Sequence, residues 1–226
     1  MINNNQVSGL VYFGSPIYSV ELPELVNETN KICDTYIKKA KEKNNKLVKE
    51  REKRFNKKIG NHGLSNQSEF LINETKLDKL KNYIGEISWK ILDEIGYDLV
   101  NHELFFTELW VQEFSEKGGG HHEGHIHSDN HMSGFYFLKC SDKTSYPIFH
   151  DPRPAKVMSQ LPLKNEKEIS LGSDKIHYSP KPGTMLLFPS YIEHQFVVDN
   201  GIEPFRFIHF NLQVVRKLII NSIRNK

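Results

Sequence analysis

From Leu104 onward the chain is a succession of short apolar runs, each closed by a turn signal, and few folds accept such a pattern. Phe105–Phe114 is rich in aromatic and branched residues, as strands are. Further runs cover Ser133–Cys140, Pro147–Phe149, Ile169–Leu171, Lys175–Tyr178, Thr184–Phe188, His194–Val198 and Phe205–Val215. Between them stand Ser141-Asp142-Lys143, Asp151-Pro152-Arg153-Pro154, Gly172-Ser173-Asp174, Pro180-Lys181-Pro182-Gly183 and Asp199-Asn200-Gly201. Short strands at this spacing predict a β-sandwich or barrel.

The first hundred residues have a different texture. Leu10 to Val20 reads as one or two short strands, interrupted by Gly14-Ser15-Pro16. A helix is expected from Pro23, because Leu25, Val26, Thr29, Ile32, Cys33, Tyr36, Ile37 and Ala40 recur at helical spacing. The stripe fades after Ala40, and the basic run Lys38–Lys58 reads as a solvated helix end and loop rather than a phosphate-binding patch. Asn61 to Asn73 reads as an irregular connection. A second helix carries Leu77, Leu80, Tyr83, Ile84, Ile87, Ile91, Leu92 and Ile95, with Gly96 as its stop. The whole reads as mainly β, with two N-terminal helices packed on a C-terminal sandwich and a last helical turn after Arg216. A chain of 226 residues suits one domain, 1–226: a strand and helical support region over 1–100 and a core over 101–215.

Composition narrows the function. The formal net charge is +2, too small to indicate a nucleic-acid partner. The two cysteines, Cys33 and Cys140, make no disulfide framework, which suits a reducing cytoplasm. No signal-peptide pattern opens the chain, and no apolar stretch is long enough to span a membrane. Oligomeric state is not legible.

The chemistry concentrates in Gly118–Gly134, which holds five of the eleven histidines: His121, His122, His125, His127 and His131. Histidines at this density, beside carboxylates and glycines, point to a transition-metal site. In an extended chain residues i and i+2 share a face, so His125 with His127, or His127 with Asp129, could reach one ion. A rigid site needs a ligand from elsewhere, and His194 is the best distant candidate. Arg206 follows twelve residues later, across the Asp199-Asn200-Gly201 turn. A hairpin would set it opposite His194; a sandwich corner would face the two across a cavity. Arginine suits a bidentate grip on a carboxylate. Two histidines and a carboxylate leave open positions on iron for a 2-oxo acid and oxygen.

At these residues the chain resembles the Fe(II)/2-oxoglutarate-dependent oxygenases, most closely a family found in phages and marine bacteria. Its His-x-His, then Ser-Gly-x-Tyr-Tyr, is similar to His125-Ile126-His127 and Ser133-Gly134-Phe135-Tyr136-Phe137. Its Phe-x-Asp-Pro-Arg is similar to Phe149–Arg153, and its Pro-x-x-Gly-x-x-x-x-Phe-Pro-Ser-x-x-x-His to Pro180–His194. Its Arg-x-x-x-x-Phe-Asn has a near variant in Arg206-Phe207-Ile208-His209-Phe210-Asn211. The resemblance covers Trp110 to Asn211, with a weaker echo at Gly63-Leu64-Ser65.

The resemblance implies a double-stranded β-helix (jelly-roll, cupin-like) core, with Fe(II) and 2-oxoglutarate in its mouth. It implies His194 as distal ligand and Arg206 as the anchor of the acid's far carboxylate. Two ligand sets stay open: His127, Asp129 and His194, or His125, His127 and His194. The family motif stresses the histidine pair, whereas Asp129 would leave a negative charge on the metal side. Tyr136 is a candidate for the 2-oxoglutarate carboxylate, or a buried tyrosine with a backbone partner. His121 and His122 read as flexible loop residues, His131 as outside the ligand set, Trp110 and Phe114 as core, and Asp151 as a turn cap pairing Arg153. His209 reads as structural, since it leaves the face shared by Arg206, Ile208 and Phe210.

The expected function is hydroxylation of an unknown substrate with molecular oxygen, coupled to conversion of 2-oxoglutarate to succinate and carbon dioxide. One rival is a cupin-like metal dioxygenase or isomerase without 2-oxoglutarate, which three histidine ligands would favour. Another is a non-catalytic metal-binding or structural jelly roll, for which phage particles offer a place.

Overall fold

The computed structural model describes residues 13–158 and 161–217. In chain order its elements are β1 (Tyr18–Glu21), α1 (Val26–Phe55), β2 (Ser65–Gln67), α2 (Asp78–Ile95) and β3 (His102–Phe114). Then follow β4 (His122–His125), β5 (Met132–Lys139), β6 (Pro147–His150), α3 (Pro154–Val157) and β7 (Lys175–His177). The last are β8 (Thr184–Pro189), β9 (His194–Phe196) and β10 (Arg206–Arg216).

The strands form two antiparallel sheets. The larger runs β1-β8-β5-β10-β3-β2 and the smaller β4-β9-β6-β7. From β3 onward the chain passes repeatedly from one sheet to the other, and that alternation makes the core a double-stranded β-helix with helices at its N-terminal side.

The larger sheet is apolar on both faces, so its strands read as continuous runs. Phe135, Phe137, Phe188, Phe205 and Phe207 point between the sheets and meet Phe149 and Phe196 of the smaller one. Their neighbours Tyr136, Leu138, Leu187, Ile208 and Phe210 point the other way, onto Cys33, Ile37, Leu80, Ile84 and Ile91 of the helices. The site therefore lies between sheets, while the helices cover the outer face.

Several boundaries differ from expectation for local reasons. Helix α1 runs through the basic segment to Phe55, ending where Asn56 adopts φ 46°. Lysine, glutamate and arginine are good helix formers, and neither glycine nor proline interrupts that stretch. Its buried residues stop at Ala40, so the second half is solvated helix. Asn44 tacks that half to β2 through the Ser65 carbonyl and the Asn66 side chain, each at 3.1 Å. The strand β2 arises within the connection expected to be irregular, as an edge paired to β3. The run Ile169–Leu171 is no strand. It lies in hydrogen-bonded turns closed by Ser170 and Ser173, with Leu171 79% exposed. Helix α2 ends as expected at Gly96, φ 105°. The first part of the expected Leu10–Val20 strand region and the last turn after Arg216 fall largely outside the described residues.

Candidate metal centre

Strand pairing brings the histidines together. Strand β4 lies antiparallel to β9 with His125 opposite His194. His127 follows two residues later, its backbone N–H bonded to the Ser190 carbonyl at 3.0 Å. The three rings stand 4.6–5.1 Å apart between centroids. One nitrogen from each falls within 4.8 Å of the others, and His127 Nε2 is 3.3 Å from His194 Nε2.

The outward nitrogens are held by protein atoms. His194 Nδ1 donates to the Ile192 carbonyl at 3.0 Å, and His125 Nδ1 to the Glu123 carbonyl at 2.7 Å. In both rings Nε2 is then left with a free lone pair. His127 Nδ1 sits 3.0 Å from the Asn211 side-chain nitrogen. Burial among aromatic side chains pushes His127 down to about 3 and His194 to about 2, so both are neutral near pH 7. Neutral imidazoles are the form that binds a transition metal; His125 and His194 are held by carbonyls in the tautomer that presents Nε2, and with His127 beside them they fit an Fe(II) ion.

Asp129 belongs to neither group of convergent donors among the described residues. It lies exposed in the turn between β4 and β5, at φ 62°, and its carbonyl accepts from Gln213 Nε2 at 2.8 Å. A residue in that left-handed conformation leaves the alternation that would set it beside His127.

A second convergent group was not legible in the sequence: Glu108, His127 and His209. His209 stacks on Trp110 and His127, 4.5 and 4.7 Å between centroids. Its Nε2 has no hydrogen-bond partner and stands 3.6 Å from Glu108 Oε2. The imidazole beside it holds Glu108 down to about 2, while burial holds His209 itself below its ordinary value. The sequence reading placed His209 on the face away from Arg206, which it is; that face is the one lining the site. His122 belongs to β4 and packs among Trp110, Phe114, Phe196 and Phe207, not in a flexible loop. Its signal was the alternation of Trp110, Gln112 and Phe114 on the strand facing it.

Arg206 is not brought to the histidines. It is 3% exposed on the helix side of the larger sheet, where Nε and Nη2 bond Glu113 Oε2 at 2.8 and 2.7 Å. Nη1 bonds Asp34 at 2.7 Å and Asn30 at 3.1 Å, both on α1. Lys41 reaches the other Glu113 oxygen at 2.5 Å. Burial would raise Glu113, but Lys41, Arg206 and Lys139 outweigh it and hold it low. Nor do β9 and β10 form a hairpin, since they lie in different sheets. The orientation follows from spacing. Arg206 stands five residues before Asn211 on β10, so the two side chains leave opposite faces of the strand. With Asn211 held inward by His127 and Ser133, Arg206 turns outward. Tyr136 also points to the helix side, fully buried, its Oη donating to the Leu22 carbonyl at 2.7 Å. Asp151 and Arg153 pair as expected, at 2.9 and 2.6 Å.

The loop before β4 needs its glycines. Gly118 has φ 74°, and a Cβ there would meet the Asn200 carbonyl at 2.8 Å. This close approach ties the entry of β4 to the turn between β9 and β10.

Residues 108–211 match the model of a family described as "Putative 2OG-Fe(II) oxygenase". The matched segment carries His125, His127 and His194. Among solved structures, a Pseudomonas putida prolyl-4-hydroxylase is similar at TM-score 0.52 and 11% identity, covering 88% of this chain and 93% of that one. It shares the fold. A 2OG-Fe(II) oxygenase family oxidoreductase from Burkholderia pseudomallei gives TM-score 0.43 at 11% identity, covering 61% of this chain. The chain spans 58% of that relative's length. The viral collagen prolyl hydroxylase of Paramecium Bursaria Chlorella virus-1 gives 0.47 at 13% identity, covering 94% of this chain and 100% of that one. No curated protein sequence matches the chain. Among the described residues no helix is long and apolar enough to cross a membrane.

Proposed function

We propose that this chain is a non-haem Fe(II) oxygenase using 2-oxoglutarate and molecular oxygen to hydroxylate a substrate whose class the site does not name. The observation that carries the reading is the convergence of His125, His127 and His194 inside a segment that matches an oxygenase family. Iron with a bound 2-oxo acid would supply the oxidising chemistry.

The chain's own part is to hold, orient and exclude water. His125 and His194 present their Nε2 lone pairs because carbonyls fix the opposite nitrogens. Asn211 fixes the plane of His127, and is itself fixed by Ser133 Oγ at 2.7 Å. Phe135, Phe149 and Phe188 pack around the His194 ring and keep that side dry. In this reading residues 101–215 form the catalytic core. Residues 1–100 support it, with β1 and β2 as edge strands and α1 and α2 covering the outer face.

A second reading has an observation in its favour. Three histidines without a carboxylate, and Arg206 engaged elsewhere, suit a metal dioxygenase that needs no 2-oxo acid. Succinate separates the two. Purified chain with Fe(II), 2-oxoglutarate and oxygen is expected to release succinate slowly even without substrate, and His194→Ala is expected to abolish it. Bound iron with no succinate above the no-protein control would favour the second reading.

A further inference from the structure

We propose that Gln112 and His122 hold the far carboxylate of the 2-oxo acid, and that Arg206 clamps α1 to the sheet instead. This rests on the oxygenase reading above. A diacid chelated at the three histidines and reaching inward would place its second carboxylate between the sheets, and a buried carboxylate needs donors. Arg206 is on the opposite face, with every guanidinium nitrogen already bonded to Glu113, Asp34 or Asn30. Turning it inward would leave the buried Glu113 without its closest inner partner and release Asp34 and Asn30 of α1.

The inner face offers a short choice of donors. Trp110 Nε1 and Asn211 Nδ2 point at Glu108 Oε2, at 3.3 and 3.2 Å, and its charge repels an anion there. His209 Nε2 also faces Glu108. Gln112 and His122 instead face each other: His122 Nε2 is 2.8 Å from Gln112 Nε2 and 3.1 Å from Oε1. Gln112 is fully buried on β3, and a fully buried amide held by one imidazole has donor capacity left for a ligand.

Position agrees with that role. On β9, the partner of His122 is Phe196, two residues from His194, which is the partner of His125. Two residues of strand span roughly 7 Å, a length matching a five-carbon diacid. The rings of His122 and His125 are 6.0 Å apart. Trp110, Phe114, Phe196 and Phe207 surround His122; with one Gln112 N–H given to His122 Nε2, the second Gln112 N–H and His122 Nδ1–H are the donors left for an anion, and in that apolar setting each is stronger than it would be in water.

The experiment compares two acids on the full chain with Fe(II), without oxygen, by the weak visible charge-transfer band of the chelate. The acids are 2-oxoglutarate and 2-oxobutyrate, which lacks the second carboxylate. The wild type is expected to prefer the diacid by about tenfold or more. His122→Phe keeps the aromatic packing and is expected to lose that preference while binding Fe(II) unchanged. Arg206→Met combined with Glu113→Gln, which avoids stranding a buried carboxylate, is expected to keep it. Retained preference in His122→Phe overturns the proposal. So does lost preference in the Arg206/Glu113 variant with Fe(II) still bound. A wild type that binds Fe(II) but gives no band with either acid overturns the oxygenase reading itself.

Discussion

Asn211 shows how much of the site depends on a residue that is not itself placed among the metal-binding groups. Its side-chain nitrogen lies 3.0 Å from His127 Nδ1 and 3.2 Å from Glu108, and its oxygen accepts from Ser133. Ser133 in turn bonds Ser190, whose carbonyl receives the His127 N–H. The imidazole is therefore fixed at both its ring and its backbone. Asn211→Leu is expected to weaken Fe(II) or Mn(II) affinity by roughly 10–100-fold, with the fold retained. Calorimetric titration of the metal checks it, and an unchanged affinity would contradict the orienting role. At this scale the approach of His125, His127 and His194 was legible as one of two open sets, because two-residue spacing and a distant partner are visible in a sequence; that Asp129 leaves the strand alternation was not. Glu108, His122, His209 and Asn211 were not. Assigning them requires knowing which face of β3 and β10 turns inward, and that depends on a pairing register a sequence does not state.

At the scale of elements, α1 illustrates the same division. Its apolar stripe was legible, and Cys33, Ile37 and Ala40 are buried as the stripe requires. Its length was not. The second half buries no apolar face and owes its form to helix-forming charged residues and to tacks such as Asn44 on β2. Ile37 is 2% exposed in the cluster joining the helices to the larger sheet. Ile37→Ala is expected to cost about 3 kcal/mol. Urea unfolding checks this; a loss under about 1 kcal/mol would mean that α1 packs loosely on the sheet. Among strands, the long runs β3, β5, β8 and β10 were visible as apolar stretches. The three-residue β2 and the histidine-rich β4 were not, since neither has strand composition and each exists only by pairing to a neighbour.

For the whole molecule, the consequence of burying several histidines is acid sensitivity. Burial depresses His122 to about 4, His127 to about 3 and His194 to about 2, from an ordinary 6.5. As pH falls through 6.5 the unfolded chain takes up protons that the folded chain refuses until those lower values are reached. Stability is therefore full above that point and declines below it. Glu108, depressed from 4.5 to about 2, adds a further decline over its own interval. The metal-free protein is expected to melt several degrees lower at about pH 5 than at about pH 7.5. Bound metal should offset part of the loss, because a liganded imidazole cannot accept the proton. An unchanged melting temperature across that range would mean that the histidines are not buried neutral.

The central claim is that three histidines, with no carboxylate, make the metal centre. Anaerobic titration with Fe(II) of the wild type and of His125→Ala, His194→Ala and Asp129→Ala tests it most directly. The account predicts one iron per wild-type chain, large losses of affinity in both histidine variants, and none in Asp129→Ala. Retained affinity in His125→Ala with loss in Asp129→Ala would contradict it, and would place the carboxylate of the turn on the metal.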